Sequence, residues 1–216
     1  MTLELKNICK SYGKKEVLKN INLTFQTGIY GLIGSNGAGK STMMNIMADV
    51  LDATSGEVLC EGQNIQQMGD NYRAKIGFLP QNVGYYGNFT AEKTVEYFGY
   101  LRGVDKKQLR ERVEKSLEVV NLLNHAKEKV KTFSGGMKQR LGIAVTYVSN
   151  PEIMIFDEPT VGLDPEERER FKRFILELGK TKTIVLSTHI ISDVEEVADY
   201  VIEMKEGIAY ERFDKN

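Results

Sequence analysis

Apolar and polar residues alternate from Thr2 to Ile8, with Leu3 and Leu5 on one face, and alternate again through Ile21, Leu23 and Phe25. This period of two predicts half-buried strands of an antiparallel sheet. The run Ile29-Tyr30-Gly31-Leu32-Ile33 is more continuously apolar and leads into a glycine-rich loop, after which Met43, Met47 and Val50 recur at helical spacing. A buried strand, a loop and a helix therefore follow one another. Segments 56–62 and 75–79 predict further strands.

From about Gln81 to Ser134 the period changes to that of helices. Thr90 is placed to cap a helix carrying Val95, Phe98 and Leu101 on one face. Asp105 and Gln108 have the spacing of a capping box ahead of Leu109, Val113 and Leu117. Ser134 precedes a stripe of Met137, Leu141, Ala144 and Val148. Then come a buried strand over 153–156, a helix over 165–178, a buried strand over 183–186 and a helix carrying Ile190, Val194 and Val197. Asp164, Pro165 and Glu167 form a helix start of N-cap, N1 proline and N3 acid. Segments 200–204 and 208–210, joined at Glu206-Gly207, predict a closing hairpin. Strands alternating with helices imply a parallel α/β core, and the central helices read as an insertion into it. Repeats and low-complexity segments are absent from the sequence.

Composition narrows the classes further. The chain has 216 residues, enough for one domain with a subdomain, and 41% of them are hydrophobic. Lys and Arg number 29 against 30 Asp and Glu, so no basic excess favours a nucleic-acid partner. Cys9 and Cys60 sit in apolar, strand-like surroundings and read as buried thiols of a reduced compartment. The first ten residues alternate instead of forming an apolar block, so no secretory signal is expected there. No uncharged apolar run approaches the roughly 20 residues needed to cross a bilayer. The expectation is a cytosolic protein that depends on another chain for any work at a membrane.

The loop after the third strand carries chemistry. Gly34, Ser35, Asn36, Gly37, Ala38, Gly39, Lys40 and Ser41 match the P-loop pattern, followed by Thr42. Glycines let successive backbone N–H groups turn inward on a phosphate, and the helix start adds its dipole. In this pattern Lys40 reaches the β- and γ-phosphates and Ser41 binds Mg²⁺. A flexible turn would contain the same glycines, but the flanking strand and helix favour nucleotide. Downstream, Ile153-Met154-Ile155-Phe156-Asp157-Glu158 is a buried strand ending in two acids. That arrangement suits a Walker B strand, with Asp157 on Mg²⁺ and Glu158 near the attacking water. Alone it would read as an ordinary strand end.

Ser134-Gly135-Gly136, preceded by Phe133 and followed by Met137-Lys138-Gln139-Arg140, narrows the family. Here the chain resembles an ATP-binding-cassette (ABC) ATPase, whose Leu-Ser-Gly-Gly-Gln signature and basic stretch stand shortly before Walker B. Phe133 and Met137 depart from that pattern. The resemblance implies that Ser134, Gly135 and Gly136 contact the γ-phosphate of ATP on a partner subunit. It assigns Tyr12 to adenine stacking, Gln81 to the Q-loop as a Mg²⁺ or water ligand, and Asp164 to the D-loop and a cross-dimer contact. It makes His189 the switch histidine. For each a plainer reading stands beside it: a surface tyrosine, a loop glutamine, a helix cap and a satisfied loop histidine.

What the resemblance implies is an α/β P-loop NTPase core with a mixed sheet, an N-terminal antiparallel β subdomain and an inserted helical subdomain. Residues 1–81 and 150–216 would form the core with the β subdomain, and 82–149 the helical subdomain. The implied activity is ATP hydrolysis with Mg²⁺, with Glu158, His189 and Lys40 catalytic. The implied partners are a second cassette, identical or not, and a separate transmembrane permease holding the subunit on the cytoplasmic face. Details around 136–141 and 162–166 resemble bacterial exporters. A soluble ABC ATPase outside transport remains the alternative, and a P-loop kinase or GTPase ranks last, having no need of 134–136 with Gln81 and His189. Tyr85, Tyr86 and Phe89 lie where the family receives a coupling helix of the permease, or else pack on the helical subdomain.

Overall fold

The computed structural model describes residues 1–189 and 191–214. Two antiparallel strands, β1 (Leu3–Tyr12) and β2 (Lys15–Phe25), open the chain, and β3 (Gly28–Ile33) leads into helix α1 (Lys40–Met47). β4 (Ser55–Cys60), β5 (Gln63–Asn64), the short helices α2 (Ile65–Met68) and α3 (Asp70–Lys75), and β6 (Ile76–Leu79) follow. The longer helices α4 (Ala91–Leu101), α5 (Lys106–Val119) and α6 (Gly135–Tyr147) come next. β7 (Ile153–Asp157), α7 (Pro165–Gly179), β8 (Thr183–Ser187), α8 (Ile191–Val197), β9 (Tyr200–Lys205) and β10 (Ile208–Asp214) complete the order.

The strands form two sheets. One is four-stranded in the order β2-β1-β4-β5 and antiparallel throughout. The other is six-stranded, β10-β9-β3-β8-β7-β6, parallel except at the β9–β10 hairpin. The six-stranded sheet is buried on both faces, which is why its central strands read as unbroken apolar runs. Alternation nevertheless sorts their side chains. Tyr30, Leu32, Ile153, Ile155 and Val185 face α1 and the four-stranded sheet, whereas Ile29, Ile33, Met154, Phe156, Ile184 and Leu186 face α7, α8 and the central helices. Helix α1 is thus packed between the sheets through Met43, Met44 and Met47.

Caps fall where the side chains predict them. Thr90, Asp105, Ser134 and Asp164 each accept a bond from a backbone N–H in the first turn. Several finer expectations fail for identifiable reasons. Val50 lies beyond the end of α1, where Asp49 turns to φ 56, and is exposed. Leu101 is also exposed, because two steps of three residues rotate it about 120° away from Val95; the buried stripe of α4 is Ala91, Thr94, Val95 and Gly99. Gln108 bonds Arg112 instead of closing a capping box. Cys60 is buried, but Cys9 only partly so. Ile190 lies outside the described residues.

Candidate functional site

The tips of β3, β7 and β8 and the start of α1 meet at one end of the six-stranded sheet, at the carboxyl ends of its parallel strands. In open α/β sheets that end is the ligand-binding one. A cavity of about 470 Å³ opens there, lined by Tyr12, Lys15, Val17, Asn36, Gly37, Gly39, Lys40, Ser41, Thr42, Gln81, Asp157 and Glu158. Tyr12, the phosphate loop, Gln81 and the acidic pair Asp157 and Glu158, far apart in sequence and singled out by separate motifs, are thus gathered on one surface.

The loop before α1 needs its glycines for two reasons. Gly34, Gly37 and Gly39 have φ of 150°, 82° and 108°, backbone that side chains with a Cβ rarely adopt. A Cβ on Gly34 would also lie 2.3 Å from the Met204 carbonyl oxygen. The loop is pinned from below, since Ala38 N–H bonds the Ser35 carbonyl and Gly207 N–H bonds the Ala38 carbonyl. Lys40 is 6% exposed and folds back so that Nζ donates to the carbonyls of Gly34 (2.6 Å) and Ser35 (3.2 Å). A phosphate in the loop offers that ammonium a stronger, charged acceptor. Tyr12 is half exposed at the end of β1 and borders the cavity, with the Lys10 ammonium over its ring at 5.3 Å from the centroid.

The acidic side is held more tightly. Asp157 and Glu158 are both buried. Ser187 Oγ, at the end of neighbouring β8, donates to Asp157 Oδ1 at 2.6 Å and accepts from Glu158 N–H at 2.9 Å. The Glu158 carboxylate meets His189 Nδ1 at 2.9 Å. Glu158 itself has φ 53, left-handed backbone that most side chains avoid. Positive φ at Glu61 and Glu206 occurs beside Gly62 and Gly207, between consecutive strands; Glu158 has no such context. Ser41, Gln81 and Asp157 are among the oxygen-bearing side chains that line the cavity, ligand types suited to a hard divalent cation.

Ser134, Gly135 and Gly136 do not line this cavity. They form the start of α6, with Ser134 Oγ accepting from Met137 N–H at 3.2 Å and both Ser134 and Gly135 exposed. Asp164 is likewise elsewhere, accepting from Glu167 N–H at the start of α7. Residue types alone did not single out Lys15, Val17, Ser187 or Gln139. Gln139 Nε2 donates to the carbonyls of Glu158 (3.3 Å) and Pro159 (3.2 Å), and only a partner of unusual backbone geometry marks it.

Among the described residues no helix is long and apolar enough to cross a membrane. The family model for ABC transporters matches residues 18–161. The linearmycin resistance ATP-binding protein of Bacillus subtilis (strain 168) is 35% identical, over 95% of this chain and 67% of that protein. The lantibiotic transport ATP-binding protein of Streptococcus pyogenes is 38% identical, over 95% of this chain and 87% of its own length. Among solved structures, the dimer of a bacterial ABC transporter cassette is 30% identical with a TM-score of 0.89, covering 97% of both chains. A cassette dimer in a post-hydrolysis state with ADP and Pi is 31% identical with a TM-score of 0.87, over 97% of each chain. The chain belongs to the ABC transporter family, as one of its ATP-binding, ATP-hydrolysing cassettes.

Proposed function

We propose that this cassette hydrolyses MgATP at sites shared between two subunits and so powers export of an antibiotic or peptide through a separate permease. One observation carries the reading. A single cavity collects Tyr12, the phosphate-loop residues Asn36, Gly37 and Gly39 to Thr42, Gln81, Asp157 and Glu158, while the anion-attracting start of α6 stands outside it with Ser134 and Gly135 exposed. Half a site is present in one chain, and the matching half is on the same chain pointing elsewhere. A head-to-tail pair completes both, and the related cassette with an ADP- and Pi-bound dimer supports that arrangement. Names of the relatives, which include bacitracin and lantibiotic transport and Nod factor export, support the substrate class and the direction.

In the proposed cycle the Tyr12 ring stacks on adenine, and the loop N–H groups with Lys40 hold the phosphates. Ser41, Gln81 and Asp157 would hold Mg²⁺, which supplies charge neutralisation on the phosphate oxygens. Glu158 orients and polarises the attacking water, with His189 beside its carboxylate and the γ-phosphate. Ser134 to Gly136 and Asp164 of the partner subunit close the site. Residues 1–81 with 150–216 form the nucleotide core, and 82–149 form the helical subdomain toward the permease at the cytoplasmic face.

Dimer dependence is the direct test. ATPase per subunit should rise with protein concentration, and Glu158→Gln should accumulate an ATP-bound dimer in gel filtration. Equal specific activity at concentrations where the protein is strictly monomeric would refute the shared site.

A further inference from the structure

The turn that carries Glu158 is held from both sides by side chains. Ser187 accepts its N–H at 2.9 Å, and Gln139 Nε2 donates to its carbonyl at 3.3 Å and to that of Pro159 at 3.2 Å. Glu158 has φ 53, an unfavourable conformation for a residue with a Cβ, and it persists only where surrounding contacts fix it. Gln139 lies on α6, one turn beyond Ser134 to Gly136. At the start of the same helix, Gly136 is packed so closely on the following loop that a Cβ would sit 2.7 Å from the Gly162 carbonyl oxygen. The start of α6 and the segment 158–162 thus bear on one another at two points, one a side-chain fork and one a bare backbone contact.

We propose that Gln139 is a positioning residue for hydrolysis: its amide fixes the peptide of Glu158 and ties it to the helix end that faces the partner subunit's nucleotide. This rests on the reading of Glu158 as the water-polarising group. An anion seated on the start of α6 bears on a helix whose next turn grips the Glu158 carbonyl. Closure of one site is thereby felt at the hydrolytic group of the other. Only the donor function of Gln139 is needed for this, because both of its acceptors are backbone carbonyls.

Gln139→Met keeps length and volume and removes the donor; Gln139→Lys restores a donor of similar reach. With MgATP as the probe, Gln139→Met should lower kcat by about 10- to 100-fold, the scale of a misplaced catalytic group. KM should change less than about twofold, as for an interaction made in the transition state alone. Melting temperature and the ATP-bound dimer fraction should stay at wild-type values, and Gln139→Lys should recover most of kcat. In single-turnover measurements, Gln139→Met should add no further loss to Glu158→Gln, because the two act as one unit. A wild-type kcat for Gln139→Met overturns the proposal, as do losses of affinity and melting temperature in step with kcat, or a full additive loss in the double variant. Normal hydrolysis by Glu158→Gln alone would instead remove the reading of Glu158; a slow Glu158→Gln beside a normal Gln139→Met removes only the role of Gln139.

Discussion

Ser187→Ala removes one hydroxyl and breaks two bonds at once. Ser187 is fully buried at the end of β8, donating to Asp157 Oδ1 at 2.6 Å and accepting from Glu158 N–H at 2.9 Å. A hydrogen bond to a charged acceptor contributes about 1.5–3 kcal/mol, and a buried N–H left unpaired costs about 1–3 kcal/mol. Asp157 borders the open cavity, where water can replace part of its lost bond. Glu158 borders the same cavity, so water relieves part of both terms and the lower part of both ranges applies, about 2.5–4 kcal/mol together. For a chain of this size 1 kcal/mol moves Tm by about 2–4 °C, so a loss of roughly 5–15 °C is expected in a circular-dichroism melt. The folded fraction should also turn over ATP about tenfold more slowly, since the strained peptide of Glu158 has lost one of its two clamps. A Tm within 1 °C of wild type together with unchanged kcat would show that this hydroxyl holds nothing in place.

Four further outcomes can be measured. Lys40→Ala should weaken equilibrium binding of ATP itself, whereas Glu158→Gln and His189→Ala should bind normally and hydrolyse at least about 100-fold more slowly in phosphate-release assays; a binding defect in Glu158→Gln comparable to that of Lys40→Ala would contradict the division. Tyr86→Ser should leave melting temperature and basal ATPase near wild type and reduce copurification with the proposed permease, because Tyr86 is 60% exposed beside Phe89 and Tyr97. Tyr85→Ser should instead lower the melting temperature, since that ring packs on Phe98 and the core and burial pushes its hydroxyl pKa up. Gly31→Ala should destabilise by about 1–3 kcal/mol in urea unfolding, because a Cβ there falls 2.1 Å from Val194 Cγ1; a stable variant would mean that α8 can shift away from β3.

The sequence made the phosphate loop and the acidic strand end readable because their chemistry demands fixed local spacings: two glycines, a lysine and a hydroxyl around one phosphate chain, and a carboxylate at the tip of a buried strand. Ser187 and Gln139 left no such trace. Their partners stand 19 to 30 residues away and include backbone atoms, so only the parallel register of β7 with β8, and the packing of α6 against 158–162, brings them together. The aromatic loop was half readable for a related reason. Tyr85, Tyr86 and Phe89 share one composition, but Tyr85 turns inward, Tyr86 outward, and Phe89 sits between Tyr86 and Tyr97 under the Lys93 ammonium. The short elements β5, α2 and α3 are two to six residues long, less than a period can be counted over.

Phe133 and Met137 stand where the family signature has leucine and glutamine. Phe133 is 5% exposed and belongs to the core beneath α6, so a larger apolar side chain serves the position that leucine fills elsewhere. Met137 is partly buried against that same core, and its backbone N–H is the group capped by Ser134 Oγ. The fifth position therefore contributes a backbone donor and apolar contact, neither of which requires an amide side chain. What an anion would meet at this helix end is the backbone of Gly135 and Gly136 with the Ser134 hydroxyl, and all three are intact. A hydrogen bond donated by the fifth side chain to nucleotide or partner is absent by chemistry, since a thioether carries no N–H or O–H. The amide that reaches the carbonyls of Glu158 and Pro159 lies two residues further along the helix, at Gln139, facing inward to its own chain.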